Sequence, residues 1–173
     1  MSSTAPKATD ARAESGLFVA LLQIADSLGA QAEQVIKGAG LTAAQYNVLR
    51  ILRGAGSDGL ACREIGERMI SRDPDITRLL DRMEKRNLIT RERQSADRRV
   101  VKAYVTPQGL ELLKTLDRPV NALHKRQFQG IGPVKLKVLA AMLEEIRSQH
   151  ADRIADCDLP DSAINKPKQK NSK

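Results

Sequence analysis

Side chains suited to ion-pair chemistry are concentrated in one short segment, residues 93–101, which reads RQSADRRVV. A single aspartate, Asp97, stands there among Arg93, Arg98 and Arg99. A guanidinium group forms paired, charge-assisted hydrogen bonds with carboxylates and phosphates, so the segment is chemically able to bind a polyanion. By default, however, charged residues between two extended segments form a solvated hairpin tip. The surrounding elements must decide between these two interpretations.

The composition indicates one globular domain with a basic surface. The chain has 173 residues, a hydrophobic content of 41%, a formal net charge of +8 and an isoelectric point near 9.8. The charge favours a polyanionic partner without separating nucleic acid from an anionic membrane. No apolar run approaches the roughly 18 residues that span a bilayer. Residues 1–11 lack the apolar core of a signal peptide, which predicts a disordered leader and a cytoplasmic protein.

Few residues in the sequence suit catalysis or metal binding. Cys62 and Cys157 lie far apart, without a CxxC motif or a neighbouring histidine, and are interpreted as free thiols; a disulfide or metal site is the weaker alternative. His124 and His150 fall on helical segments without a visible nucleophile or carboxylate partner, and no glycine-rich phosphate loop is present. We therefore expect neither an enzyme nor a cofactor or metal site.

Three helices are predicted before residue 70. Apolar residues at steps of three and four predict the first over residues 12–38, with a stripe of Leu17, Leu21, Ile24, Leu28, Ala32 and Val35. The second begins after Thr42, which forms a capping box with Gln45. A short third helix lies in ACREIGERM and is followed by a tight connection.

The fourth helix is predicted from Asp75 to Arg86. Asp73 suits its N-cap and Pro74 its first helical position, where the missing N–H costs nothing. Asn87 ends the helix, because asparagine tolerates the left-handed backbone of a C-terminal cap. The residues predicted to face inward are Ile76, Leu79, Leu80 and Met83.

A hairpin and two further helices complete the predicted fold. The segments LITRER and RVVKAYVT are extended runs, with QSAD near the tip between them. Thr106 and Pro107 begin a fifth helix, which Pro119 should bend. Pro133 opens a sixth helix that keeps heptad spacing to about residue 155, and residues 157–173 form a basic flexible tail. The expected fold is mainly α with a small β-hairpin wing.

Two short helices joined by a tight turn and followed by a basic hairpin form a winged helix-turn-helix. The segments LTAAQYNVLRIL, LACREIGERM, PDITRLLDRMEKRNLI and DRRVVKAYVTPQG stand in the order and spacing of the MarR family of bacterial transcriptional regulators, which the chain resembles over residues 41–109. The resemblance implies a homodimer that binds double-stranded DNA at a pseudo-palindromic operator. It assigns residues 41–106 to the winged DNA-binding region, and residues 12–38 and 107–156 to dimerisation.

The resemblance favours the polyanion interpretation of the charged segment. Wings of this family carry the pattern Asp-x-Arg, and Asp97 and Arg99 occupy it here. An arginine in an A·T-rich minor groove meets enhanced negative potential, and a neighbouring carboxylate can hold its guanidinium in one pose. We therefore expect Arg99 to enter the groove, oriented by Asp97. Sugar-phosphate contacts are expected from Arg91, Arg93 and Arg98, each with a solvated charge as the alternative.

The first two turns of the fourth helix are predicted to read base edges. Thr77 suits a thymine methyl group and Arg78 suits guanine. Asp75 is attributed first to capping, with a hydrogen bond from a cytosine amine as the alternative. Arg72 and Arg82 are expected to contact phosphates.

The resemblance also implies a repressor that responds to a small aromatic or lipophilic anion bound between the dimerisation helices and the winged region. Tyr46 and Arg50 could present a ring and a cation to such a pocket, although Tyr46 also fits a core position. Cys62 lacks a second metal ligand, and the first helix lacks the cysteine of peroxide-sensing relatives. The alternative function is a winged-helix protein-interaction module, which the arginines at 72, 78, 82, 98 and 99 disfavour.

Overall fold

The computed structural model describes residues 11–70, 75–93 and 100–156. Of the predicted leader, only Ala11 falls within these ranges, and the basic tail at 157–173 lies outside them. The chain divides into two compact units, Met1–Gln127 and Phe128–Lys173, and each is considered by itself.

Helices make up most of the described part of the first unit. Their bounds are Ala11–Lys37 for α1, Ala43–Ala55 for α2, Cys62–Arg68 for α3, Ile76–Lys85 for α4 and Pro107–Gln127 for α5. The predicted capping box of α2 is confirmed, because Thr42 Oγ1 accepts from the Gln45 N–H at 3.2 Å and Gln45 Oε1 accepts from the Thr42 N–H at 3.1 Å. Thr106 caps α5 as predicted, accepting from the Gly109 N–H at 3.0 Å.

The sheet has three antiparallel strands in the order β1-β3-β2, where β1 is Leu60–Ala61, β2 is Ile89–Arg93 and β3 is Val101–Val105. The sequence predicted β2 and β3 but missed β1, because two residues are too short to show an alternating pattern. The strand exists through its pairing with β3, in which Leu60 lies opposite Ala103. Gly59 precedes it with φ of 58°, and a Cβ there would lie 2.4 Å from the Tyr104 ring.

One hydrophobic core contains side chains from α2, α3, α4, α5 and the sheet. The inward face predicted for α4 is confirmed by the burial of Leu79, Leu80 and Met83. The large side chains that α5 buries are Leu113, Leu116, Val120 and Leu123. They pack in or beside a cluster that includes Val48, Leu49 and Leu52 of α2 and Ile65 of α3. Burial of this apolar face fixes the rotation of α4 about its own axis, so its polar face must point outward.

The start of α4 differs from the prediction. The helix begins at Ile76 with Asp75 as its N-cap, whereas Asp73 and Pro74 lie outside the described residues. Both aspartates can accept a hydrogen bond from a helix N–H, and the sequence alone could not choose between them. At the other end, Asn87 has φ of 55°, which confirms its predicted left-handed backbone.

Two helices leave apolar side chains open to solvent. In the apolar stripe predicted for α1, Leu17 and Ile24 are exposed, whereas Ala32 and Val35 pack against the core. The second unit contains α6, Pro133–Asp156, whose exposed apolar residues are Val134, Val138, Leu139, Met142, Leu143 and Ile146. Across the described residues, no helix is both long enough and apolar enough to traverse a bilayer.

Candidate nucleic-acid interface

The polar face of α4 is exposed and carries several of the predicted DNA contacts. Thr77, Arg78 and Arg82 are all exposed on it. They lie opposite the buried Leu79, Leu80 and Met83, because residues three and four apart share a helix face. The structure thus brings the predicted base-reading residues onto one solvent-facing surface.

Asp75 holds Arg78 through both carboxylate oxygens. Its Oδ1 accepts from the Arg78 backbone N–H at 3.1 Å, and its Oδ2 pairs with Arg78 Nε at 3.0 Å. The capping role predicted for Asp75 is therefore present, and the same side chain also restrains the Arg78 guanidinium. Because the Arg78 side chain is 79% exposed, water screens this pair strongly, and its main consequence is orientation rather than stability.

Arg91 lies in a different environment. Its Nη2 contacts Asp81 at 2.6 Å and Glu84 at 2.7 Å, and its Nε donates to Glu84 at 2.9 Å. The hydrogen bond to Glu84 raises the pKa of Arg91, with a smaller contribution from Asp81 and against the opposing effect of burial. This geometry argues against the sugar-phosphate contact predicted for Arg91, because its guanidinium is already engaged by two carboxylates. Sequence reasoning assigned no contact to Asp81 or Glu84, because their pairing with Arg91 depends on the packing of β2 against α4.

The remaining predicted DNA contacts divide between described and undescribed residues. Arg93 is exposed at the end of β2. Four other predicted contacts, Arg72, Asp97, Arg98 and Arg99, lie outside the described residues. Their roles therefore stay predictions.

A cavity of about 440 Å³ opens among α1, α2 and α5. Tyr46 is only 8% exposed, which confirms it as a core residue, yet its ring also lines this cavity. The Arg50 guanidinium lies 5.8 Å from the centroid of that ring. The other lining residues are Ala25, Gly29, Ala32, Ile36, Ala43, Ala44, Asn47, Met69, Ile70, Val120 and His124. A mostly apolar wall with a cation and a ring at one side suits a small aromatic anion.

The cavity touches the connection between α3 and α4. Asn47 lines it, and its Oδ1 accepts from the Ile70 backbone N–H at 2.8 Å. The Ile70 side chain also lines the cavity and is 85% exposed. Neither residue, nor His124, was predicted to belong to this site, because its wall forms only when α1, α2, α5 and the segment after α3 are packed together.

In the part of the chain that the structure describes, no group of three or more histidine, cysteine, aspartate or glutamate side chains is placed to hold a metal ion. Cys62 is a partly buried free thiol at the start of α3, and Cys157 lies outside the described residues.

Comparisons with known proteins agree with this geometry. Residues 41–101 match the family model of the MarR family. The chain is 31% identical over 114 residues to the uncharacterized HTH-type transcriptional regulator YkoM of Bacillus subtilis, a match that covers 64% of this chain and 72% of that protein. It is 25% identical over 128 residues to the HTH-type transcriptional regulator FarR of Neisseria gonorrhoeae, covering 74% of this chain and 86% of FarR.

Solved structures give the same result. A MarR transcription factor from Planctomyces limnophilus is 33% identical, with a TM-score of 0.59 and coverage of 83% of this chain and 98% of that one. AbsC, a MarR family regulator from Streptomyces coelicolor, is 25% identical, with a TM-score of 0.74 and coverage of 86% and 99%. The family match falls on the helices and strands that carry the candidate interface. The chain therefore belongs to the MarR family of transcriptional regulators and has its winged helix-turn-helix fold.

Proposed function

We propose that the protein is a homodimeric, sequence-specific DNA-binding regulator that represses transcription from a pseudo-palindromic operator until a small ligand binds. The exposed polar face of α4 is the observation that carries this proposal, because the opposite face is buried in the core and fixes its direction. In a winged helix-turn-helix, the second helix enters the major groove by such a face.

Residues of α4 are assigned to base or phosphate contacts according to their distance from the N-terminal end of the helix. Arg78, restrained by Asp75, pairs with a guanine edge, and Thr77 contacts a thymine methyl group. Arg82, one turn later, binds phosphate, as does Arg72 before the helix. Base contacts supply sequence preference, whereas phosphate contacts add salt-sensitive affinity to every site.

The wing supplies the second set of contacts. Arg99 enters the minor groove with Asp97 holding its guanidinium, and Arg93 and Arg98 bind the sugar-phosphate backbone. The exposed position of Arg93 at the end of β2 supports this assignment, since β2 directs the chain toward the wing. Residues 41–106 form the DNA-binding region in this proposal.

Dimerisation uses residues 12–38 and 107–156. The support is the exposed apolar surface of α1 and of α6, which a monomer would leave in water. A two-fold dimer presents two α4 helices to one face of a duplex, with half-site centres about 34–36 Å apart.

The proposed effector is a small aromatic or lipophilic anion that binds in the cavity beside Tyr46 and Arg50. Structures with a similar fold support this class: one concerns regulation of DNA binding of Bordetella bronchiseptica BpsR by 6-hydroxynicotinic acid, and another holds NadR with 4-hydroxyphenylacetate. The Arg50 guanidinium pairs with the carboxylate of the anion, and the Tyr46 ring contacts its aromatic part.

Asn47 connects the cavity to the DNA-binding helix. An occupant that takes the hydrogen bond of Asn47, or that packs against Ile70, changes the connection leading into α4. Such a ligand binds one arrangement of this connection more tightly than the other, and that difference in affinity lowers operator binding.

The test is selection of bound duplexes from a random library with the full chain, followed by titration of benzoate, 4-hydroxyphenylacetate and 6-hydroxynicotinate against the selected duplex. We expect a two-fold symmetric sequence and release by at least one of these acids, with Arg50→Ala removing the response while preserving duplex affinity. Recovery of no preferred duplex would favour the protein-interaction alternative. A preferred duplex that no acid releases would retain the regulator and reject the effector class.

A further inference from the structure

Arg91, Asp81 and Glu84 form a bracket between the recognition helix and the wing. Asp81 and Glu84 stand one turn apart on α4, and Arg91 is the central residue of β2. The guanidinium contacts both carboxylates, at 2.6 Å and 2.7 Å. The Arg91 backbone N–H also donates to Glu84 Oε1 at 3.0 Å. The strand itself, as well as the side chain, is therefore attached to α4.

The arginine of this bracket is less exposed than the arginines of the other ion pairs among the described residues. The Arg91 side chain is 21% exposed, against 36% for Arg53, 79% for Arg78 and 89% for Arg63. Water screens a partly buried pair less than an exposed one. Arg91 also separates two carboxylates that would otherwise repel each other on one helix face, so its loss leaves a like-charged pair behind.

The bracket attaches β2, the strand that precedes Asp97 and Arg99, to α4. In the β2–β3 ladder, Arg91 lies opposite Ala103 and Arg93 lies opposite Val101, so this register fixes the strand up to residue 93. Arg93 is itself a predicted wing contact, and the predicted contacts Asp97, Arg98 and Arg99 follow β2 in the sequence. Since a paired strand is stiff over a few residues, the attachment of Arg91 to α4 also fixes the end of β2 at Arg93 relative to that helix.

We infer that Arg91 is a positioning residue, which fixes the wing relative to α4 so that both contact one duplex, and which does not itself bind phosphate. This inference rests on the proposed DNA-binding function. It follows that Asp81 and Glu84 support DNA binding indirectly, by holding Arg91, although DNA repels the negative charge of both side chains.

In the first test, the inference and simple charge attraction predict opposite changes in operator affinity. The variant Asp81→Ala/Glu84→Ala removes two negative charges from each chain, so phosphate attraction predicts tighter binding to every duplex. If Arg91 positions the wing, operator affinity instead falls about tenfold, while affinity for scrambled duplexes holds or rises. Tighter operator binding by this variant would overturn the inference.

The second test is a double-mutant cycle between the bracket and the wing. Arg91→Met is combined with Arg98→Ala/Arg99→Ala, and operator affinity is measured for all four proteins. We expect the wing substitutions to cost about tenfold in the native background and less than about threefold beside Arg91→Met. Equal losses in both backgrounds would show that Arg91 acts independently of the wing.

Arg82→Met replaces Arg91→Met in the matched control cycle, because Arg82 is a proposed phosphate contact on α4. The wing substitutions should then lower operator affinity by the same factor with and without Arg82→Met. Arg91→Lys keeps the charge without the planar fork, and thermal melts verify that each variant is folded. An Arg91→Lys protein that melts and binds like the native chain would also overturn the inference. Absence of any preferred duplex for the native chain would instead reject the proposed function on which it rests.

Discussion

Apolar side chains are buried in the core of the winged region but exposed on the surface of α6. Val48, Leu52 and Leu80 are fully buried in the first, whereas Val134 and Met142 of α6 are mostly exposed. Burial of apolar area is the main favourable contribution to folding, so the winged region has its own source of stability. Helix α6 has an exposed apolar surface, which the proposed dimer would cover. The difference predicts that folding of the winged region and the proposed dimerisation can be disrupted separately.

The largest expected effect concerns the buried side of this comparison. Leu80→Ala removes a fully buried side chain and should lower the free energy of unfolding by about 2–5 kcal/mol. Leu80→Met conserves volume and should cost less than about 1.5 kcal/mol. Urea denaturation at one fixed protein concentration measures both. Similar losses for the two substitutions would mean that packing at this position is unimportant.

The second effect is a loss of dimerisation when the exposed apolar surface of α6 is changed. Met142→Glu places a charge on a side chain that is 57% exposed in the single chain and buried in the proposed dimer, at a cost of at least roughly 1–3 kcal/mol to association. Light scattering should then show a shift toward the 19.0 kDa monomer at micromolar concentration. Lys137→Glu, on the opposite face of α6, changes the charge more and should leave the dimer intact. A native chain that is monomeric throughout would remove the basis of the comparison.

Arg78 and Arg82 test how the buried face of α4 orients the exposed face, since both project from the side opposite the buried residues. Arg78→Ala should cost about 1–3 kcal/mol and flatten preference at one base pair in each half-site. Arg82→Ala should weaken operator and scrambled duplexes alike, and reduce the log–log salt slope by about 1.8 for a two-fold dimer. Titrations across a salt series distinguish the two. Loss of sequence preference in Arg82→Ala alone would place the helix wrongly by about one turn.

The wing gives a comparable effect through a different groove. Arg99→Ala should cost about 1–3 kcal/mol of operator binding, and Asp97→Ala should cost less because it only releases the Arg99 guanidinium. Thermal melts should barely change, since exposed substitutions usually alter stability by less than about 0.5 kcal/mol. Normal binding by both variants would return residues 93–101 to the interpretation of a solvated hairpin tip.

The smallest effect is expected at the C-terminal end. Removal of residues 161–173 should leave the mass of the dimer and the melting temperature unchanged, because this segment is too polar to contribute apolar contacts. Light scattering and thermal melts of the shortened chain measure this. Loss of dimerisation would show that α1 and α6 are not sufficient for the interface.

Local signals accounted for much of the fold. The capping box at Thr42, the cap at Thr106 and the left-handed Asn87 were predicted correctly, because each depends on residues within one helical turn. The buried face of α4 was also predicted, since its apolar residues repeat with the helical period. The start of α4 was not, because Asp73 and Asp75 have the same capping chemistry.

The order of the helices, the hairpin of β2 and β3 and the buried face of α4 could be predicted from the amino-acid sequence. Only the packed chain reveals the short strand β1, the contacts of Arg91 with Asp81 and Glu84, and the cavity that Tyr46 and Arg50 line. The physical reason is the range of the interactions. Periodicity and capping act within a few neighbouring residues, whereas strand pairing, ion pairs between elements and cavity walls require segments distant in sequence to be packed first.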